Sequence, residues 1–138
     1  MKKYETFEHT ADIGVRVFGR TAEEIFVNAA YALFDQLTDL SKVEPKAAQE
    51  IFLRGADRED LLIRWLGELL FLCESRGRLF KEFDLLHLDS NSLKAIARGE
   101  IFDPSRHRFK IEIKAVTYHQ VEVKEVDGKW EGKIIFDV

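Results

Sequence analysis

Residues 57–77 read DREDLLIRWLGELLFLCESRG, and this stretch predicts the central helix of the fold. Its acidic start suits a helix N-terminus, because carboxylates there accept hydrogen bonds from free backbone N–H groups and favour the helix dipole. Gly77 is a natural stop, since glycine readily adopts the left-handed conformation that ends helices. Apolar residues recur at helical spacing along one face: Leu62, Trp65, Leu66, Leu69, Leu70 and Cys73.

A second helix is predicted upstream, from Thr21 to near Leu37. Thr21 and Glu24 have the spacing of a capping box, in which each side chain satisfies a free backbone N–H group. The apolar positions behind them again form one stripe: Phe26, Ala29, Ala30, Leu33, Phe34 and Leu37.

The remaining segments predict strands joined by turns. Asp127-Gly128 is typical of a type I′ hairpin turn, and residues 114–119 are expected to lie between two strands. Two early helices and a late meander predict an α+β fold, in which a mostly antiparallel or mixed sheet of about eight strands packs against two helices. The predicted strands are residues 4–8, 13–18, 47–55, 79–88, 93–102, 109–114, 120–126 and 129–136.

Composition limits the class of protein. A chain of 138 residues predicts a single domain, residues 1–138, and 46% apolar with 33% charged residues is typical of a globular chain. The net charge of −4 argues against stable binding of nucleic acid by a broad basic surface. One cysteine, Cys73, excludes a disulfide within the chain and fits a reducing compartment. We expect no signal peptide and no membrane span.

Candidate chemistry is confined to a small polar set near the two ends. Glycine-rich phosphate loops, zinc-type Cys/His spacing and a serine nucleophile motif are absent from the sequence. If the ends meet, Asp12, Asp137 and the carboxylate of Val138 would converge into an oxygen-rich site that suits a hard divalent cation. The other polar residues of the set are His9, Thr10, Lys114 and His119.

Several of these residues also have an ordinary interpretation; His9 and His119, for example, could be structural or exposed histidines. An aspartate before a strand, such as Asp12, often accepts backbone N–H bonds in a turn. Asp137 is also explained as an exposed terminal residue, and Lys114 continues the polar face of Lys110 and Glu112. Spacing alone therefore leaves the convergent site and these alternatives open.

Three motifs resemble those of the archease family. They are HTADIG at 9–14, KAVTYH at 114–119 and FDV at 136–138, and they occur in the order that the family has. The start of the central helix, residues 57–66, is also similar to that family's second helix. The resemblance covers the chain from end to end.

The resemblance implies a cytoplasmic accessory protein with no catalytic residues of its own. Its partner would be the RNA-splicing ligase of tRNA splicing, which joins RNA ends carrying a 2′,3′-cyclic phosphate or a 3′-phosphate. It would promote guanylylation of the ligase histidine and multiple turnover. A divalent metal ion, most simply calcium, with magnesium or manganese as alternatives, would bind Asp12, Asp137 and Val138, and His9, Thr10, Lys114 and His119 would line the patch.

Two other functions remain open from the sequence. One is a metal-dependent phosphoesterase that uses Asp12 and Asp137, although enzyme clefts usually contain more paired acid and base groups than this chain offers. The other is a chaperone-like partner of tRNA-modifying enzymes.

Overall fold

The computed structural model describes residues 2–9 and 11–138, without the side chains of residues 8 and 9. Within that part, two helices and seven strands form two antiparallel sheets, which confirms the predicted α+β class. The elements are β1 (Tyr4–His9), β2 (Asp12–Gly19), α1 (Ala22–Leu37), β3 (Ala47–Arg54), α2 (Arg58–Arg76), β4 (Arg78–Leu88), β5 (Ser92–Ile101), β6 (Ala115–Val126) and β7 (Lys129–Asp137).

Strands from the two ends of the chain form one sheet, and strands from its middle form the other. A four-stranded sheet has the order β1-β2-β7-β6, and a three-stranded sheet has the order β3-β5-β4. Helix α1 packs against both sheets, through β2 and β4, while α2 packs mainly against β6. The fully buried Trp65 of α2 donates its indole N–H to the carbonyl of Phe26 of α1 at 2.9 Å, which joins the two helices inside the core.

Local signals for the helix ends and for one hairpin are confirmed. The Thr21 hydroxyl accepts the Glu24 N–H at 3.1 Å, and Gly77 ends α2 with φ of 68°. Asp127 and Gly128 both have positive φ, 52° and 79°, as a type I′ turn requires.

Residues 109–114 depart from the expectation. They were predicted as a strand, but they form no strand, and β6 begins at Ala115, so residues 115–119 lie inside a strand and not between two. The segment alternates Phe109, Ile111 and Ile113 with charged residues, which is the pattern of a strand. A strand also needs a neighbouring strand to pair with, and the local pattern does not determine whether one is there. The described part therefore has seven strands where about eight were predicted.

A buried cluster of charged and polar side chains holds the loop that follows β5 in place. Glu100 is only 6% exposed and accepts the Glu44 backbone N–H at 2.7 Å. Arg106 pairs with its carboxylate and, ahead of the other partners, lowers the pKa of Glu100 to about 2. His107 accepts the Asp103 backbone N–H at Nδ1 (2.8 Å), so its Nε2 carries the proton and faces Glu100 at 3.2 Å.

Candidate functional site

Two carboxylates are brought together by the register of β2 and β7. Asp12 is the direct antiparallel partner of Asp137 in this pair. Directly opposite residues have Cβ atoms about 5 Å apart on the same face of a sheet, so the two side chains are neighbours. A slip of one residue would send them to opposite faces. Both residues are half-buried.

The carboxylates lie on the face of the sheet that is turned away from the helices. Val15, Val17 and Ile134 are fully buried and point into the core. Side chains alternate along a strand, so Asp12 and Asp137 point the other way. The pair is therefore presented outward at one end of the four-stranded sheet.

Strands β1 and β6 complete that end. Ala115 of β6 pairs with Asp137, and the Lys114 N–H donates to the Asp137 carbonyl at 2.7 Å, so the exposed Lys114 lies directly beside the pair. On the other side, the backbone of His9 is opposite Asp12. The predicted patch residue Thr10 lies outside the described residues, as does the side chain of His9.

The aromatic ring of Phe7 borders the pair one step along the strands. A Cβ on Gly14 would lie 2.2 Å from Cζ of this ring, so any other residue would force the ring away from its place over β2. The guanidinium of Arg16 lies 5.2 Å from the ring centroid and the ammonium of Lys133 lies 5.7 Å from it. The packing of Phe7 gives a structural reason for the glycine of the HTADIG motif.

His119 lies in β6, four residues beyond Ala115, which is the residue that pairs with Asp137. It is an exposed residue of β6, beyond Thr117, which pairs with Ile135. The register between β6 and β7 is irregular from Thr117 to Glu122, and Gln120 has a φ of 54°. Membership of His119 in the patch stays a prediction.

Sequence reasoning missed the role of Tyr118, which anchors this irregular part of β6. Its hydroxyl donates to Asp60 Oδ1 at 2.6 Å, near the start of α2. That bond, ahead of those from the Ala56 N–H and Arg64, lowers the pKa of Asp60 to about 2. The available signals were the tyrosine within KAVTYH and the acidic helix start, but no pattern joins them across 58 residues.

The donor chemistry of the pair fits a hard cation. Two carboxylates on one face offer several oxygen atoms, and calcium and magnesium prefer such ligands. Among the described residues, no three His, Cys, Asp or Glu side chains are grouped as a metal site. The predicted third ligand is the carboxylate of Val138, a half-buried residue next to Asp137.

Comparison with known proteins identifies the family. The model of the Archease protein family (MTH1598/TM1083) matches residues 4–138. This chain belongs to the archease family. Protein archease of Sulfurisphaera tokodaii is 45% identical over 140 residues, covering 100% of both chains. Protein archease of Methanopyrus kandleri is 44% identical over 138 residues, covering 98% of this chain and 99% of that one.

Solved archease structures show the same architecture. The solution structure of protein 1598 of Methanobacterium thermoautotrophicum has a TM-score of 0.87 at 37% identity and covers 100% of both chains. The crystal structure of an archease, described as a possible chaperone, from Thermotoga maritima has a TM-score of 0.65 at 20% identity, covering 100% of this chain and 98% of that one. The second likeness concerns the fold alone. In the described part of this chain, no helix has the length and apolarity to cross a membrane.

Proposed function

We propose that this protein is an accessory activator of the RNA-splicing ligase in the cytoplasm and has no turnover of its own. It promotes transfer of guanylate from GTP to the ligase histidine and keeps the ligase turning over during the joining of tRNA and other RNA ends. Family membership over residues 4–138 supports the partner. The observation that carries the mechanism is the register that sets Asp12 opposite Asp137.

The carboxylates are proposed to act together on a divalent cation. Asp12, Asp137 and the Val138 carboxylate hold it, with calcium as the first choice and magnesium or manganese as alternatives. A cation bound there supplies positive charge that favours the phosphate groups of GTP in nucleotidyl transfer. The chain's own part is to fix the oxygens through the β2–β7 register and to present them outward.

Lys114 supplies a second positive charge at the same end of the sheet. Its backbone N–H is held by the Asp137 carbonyl at 2.7 Å, and its side chain is exposed. The ammonium group is therefore available to a phosphate of the nucleotide or to the carboxylates. His9, Thr10 and His119 are proposed to line the patch.

The proposal is tested by measuring guanylylation of the ligase from labelled GTP, with and without this protein. Wild type accelerates the reaction, while Asp12→Asn and Asp137→Asn do not. Asp127→Asn is the matched control, because it makes the same change in an exposed turn at the far end of β7, where asparagine also accepts the φ of 52°. Acceleration by the site variants would retain the partner and exclude the cation mechanism.

The remaining functions are separated by companion assays. Hydrolysis of phosphodiesters by the isolated protein, abolished by Asp12→Asn, would identify a phosphoesterase. Activation of tRNA-modifying enzymes, with no effect on the ligase, would identify the chaperone-like partner.

Cation binding is tested by calcium titration followed by thermal unfolding. The cation should raise the melting temperature of wild type but not that of Asp137→Asn, because ligands stabilise only the state that binds them.

A further inference from the structure

Two cations lie side by side on the same outward face of the four-stranded sheet as the carboxylate pair. Arg16 of β2 is directly opposite Lys133 of β7, in the same register that sets Asp12 opposite Asp137. Side chains alternate along a strand, so residues four positions apart share a face. Arg16 and Lys133 therefore stand on the outward face, four residues along their strands from Asp12 and Asp137.

The charged ends of both side chains approach one aromatic ring. The Arg16 guanidinium lies 5.2 Å from the centroid of the Phe7 ring, and the Lys133 ammonium lies 5.7 Å from it. The ring lies over Gly14, which is two residues from Asp12 along β2. Two residues of a strand span about 7 Å. The ring therefore holds the two cations close to the carboxylate end of the face.

In the described part of the chain, the Arg16 guanidinium makes no hydrogen bond or ion pair. Glu5 is opposite Arg16 on β1, but its carboxylate pairs with Lys2 at 2.6 Å. Arg16 is exposed, and a guanidinium carries its N–H donors in a planar fork that matches the oxygen atoms of a phosphate. This group is therefore open to a phosphate from solvent.

Lys133 is also only weakly paired within the chain. Glu122 is opposite Lys133 on β6, but its carboxylate pairs with Lys124 at 2.8 Å and lies 3.9 Å from the Lys133 ammonium. The Lys133 side chain is 17% exposed, so water screens its charge less than that of a fully exposed lysine. Together with Arg16 it makes this part of the face attractive to anions.

We propose that this face binds a nucleoside triphosphate together with the divalent cation, and that Arg16 and Lys133 hold its phosphate groups. The cation at Asp12 and Asp137 binds one part of the triphosphate, and the two basic side chains neutralise the rest. Basic side chains and metal ions share the phosphate charge in this way in phosphoryl-transfer sites. A chain of three linked phosphate groups can bridge the ring between the two sets of charges. The inference rests on the proposed function and names the ligand class of the same site.

The test is isothermal titration calorimetry of the full-length protein with GTP in the presence of calcium. Wild type should bind GTP, whereas Arg16→Gln and Lys133→Gln should each weaken binding by about tenfold or more, because each removes a charged contact to phosphate. Arg16→Lys, which keeps the charge, should retain most of the affinity. Thermal unfolding verifies that each variant is folded.

Matched controls make the same changes at the other end of the two strands. Arg20→Gln alters an exposed arginine just after β2, and Lys129→Gln alters the exposed first residue of β7. Both should bind GTP as wild type does. Equal weakening by the site and control variants would show a loss of general charge attraction and would overturn the inference.

Companion ligands define what the face recognises. Inorganic tripolyphosphate should compete with GTP, and guanosine, which has no phosphate, should not. Chelation of calcium should weaken GTP binding, because the bare carboxylates then repel the phosphates. Competition by guanosine, or GTP binding that is indifferent to the chelator, would contradict the inference.

The guanylylation assay separates this inference from the proposed function. Activation of the ligase by wild type, with no binding of GTP to the isolated protein, would overturn the inference and leave the proposed function standing. Binding of GTP that is lost in Arg16→Gln and Lys133→Gln, without any activation of the ligase, would support the site and overturn the proposed function.

Discussion

The cluster around Glu100 and the Asp12–Asp137 pair both bring charged side chains together, but they do so under opposite conditions. Glu100 is buried, and its charge is met by Arg106 and a backbone N–H group. Asp12 and Asp137 are half-buried like charges placed directly opposite each other, an arrangement that destabilises an antiparallel pair. The first cluster matches opposite charges inside the core, whereas the second presents two carboxylates outward at the end of a sheet, where a cation has access to them.

The largest expected effect is the removal of Glu100. Glu100→Ala leaves Arg106, His107 and the Glu44 N–H without their shared acceptor, and we expect a loss of about 3 kcal/mol in the free energy of unfolding. Urea denaturation measures it. The control is Glu50→Ala, because Glu50 is an exposed glutamate of β3 and its loss should cost within about 0.5 kcal/mol. Equal effects of the two variants would contradict the structural role given to the cluster.

The same cluster predicts a dependence of stability on pH. The folded pKa of Glu100 is lowered to about 2 from an ordinary value of 4.5. The stability that ionised Glu100 contributes is therefore present above pH 4.5 and is lost as the pH falls through 2. Glu100→Gln should show a smaller decline over that range in pH-dependent urea melts. A parallel decline in both proteins would show that Glu100 is not the source.

A smaller effect is expected beside the carboxylates, at Gly14. Gly14→Ala drives a Cβ against the Phe7 ring and should destabilise the protein by about 2 kcal/mol through overpacking. The control is Gly67→Ala, because Gly67 lies inside α2 with open space around its Cβ position. That change should stabilise the protein by about 0.5–1 kcal/mol through helix propensity. Destabilisation by both changes would contradict this account of Gly14.

The smallest effect on stability is expected within the pair itself, and it has the opposite sign. In unfolding measurements with chelator present, Asp137→Asn removes one of two facing charges and should raise the free energy of unfolding by about 0.5 kcal/mol. In the guanylylation assay, which contains no chelator, the same variant should abolish ligase activation. Thermal unfolding and the guanylylation assay measure the two effects on the same preparation. Destabilisation by Asp137→Asn, with ligase activation intact, would contradict the functional role given to the pair.

Local signals in the sequence predicted the helices and the hairpin correctly. Thr21, Asp57 and Gly77 act through neighbours a few residues away, and each occupies the helix end that its chemistry favours. The segment 109–114 shows the limit of such signals. Its alternation predicts extended backbone, but whether another strand lies beside it depends on distant parts of the chain.

The candidate site likewise contains residues that the sequence could identify and a contact that it could not. The motif residues Asp12, Lys114 and Asp137 could be named from the sequence because they stand in three motifs that resemble one family. The bond between Tyr118 and Asp60 could not, because it joins residues 58 positions apart and neither has a local pattern that indicates the other.

The sequence by itself determined the family, the two helices with their ends, the type I′ turn and the identity of the candidate ligands. These follow from short-range chemistry and from motifs that read directly along the chain. Only the tertiary structure decided that the strands form two sheets, that β2 and β7 pair with Asp12 opposite Asp137, and that residues 109–114 form no strand. These features depend on long-range register, which is set by burial of whole faces in the core and not by any local stretch of residues.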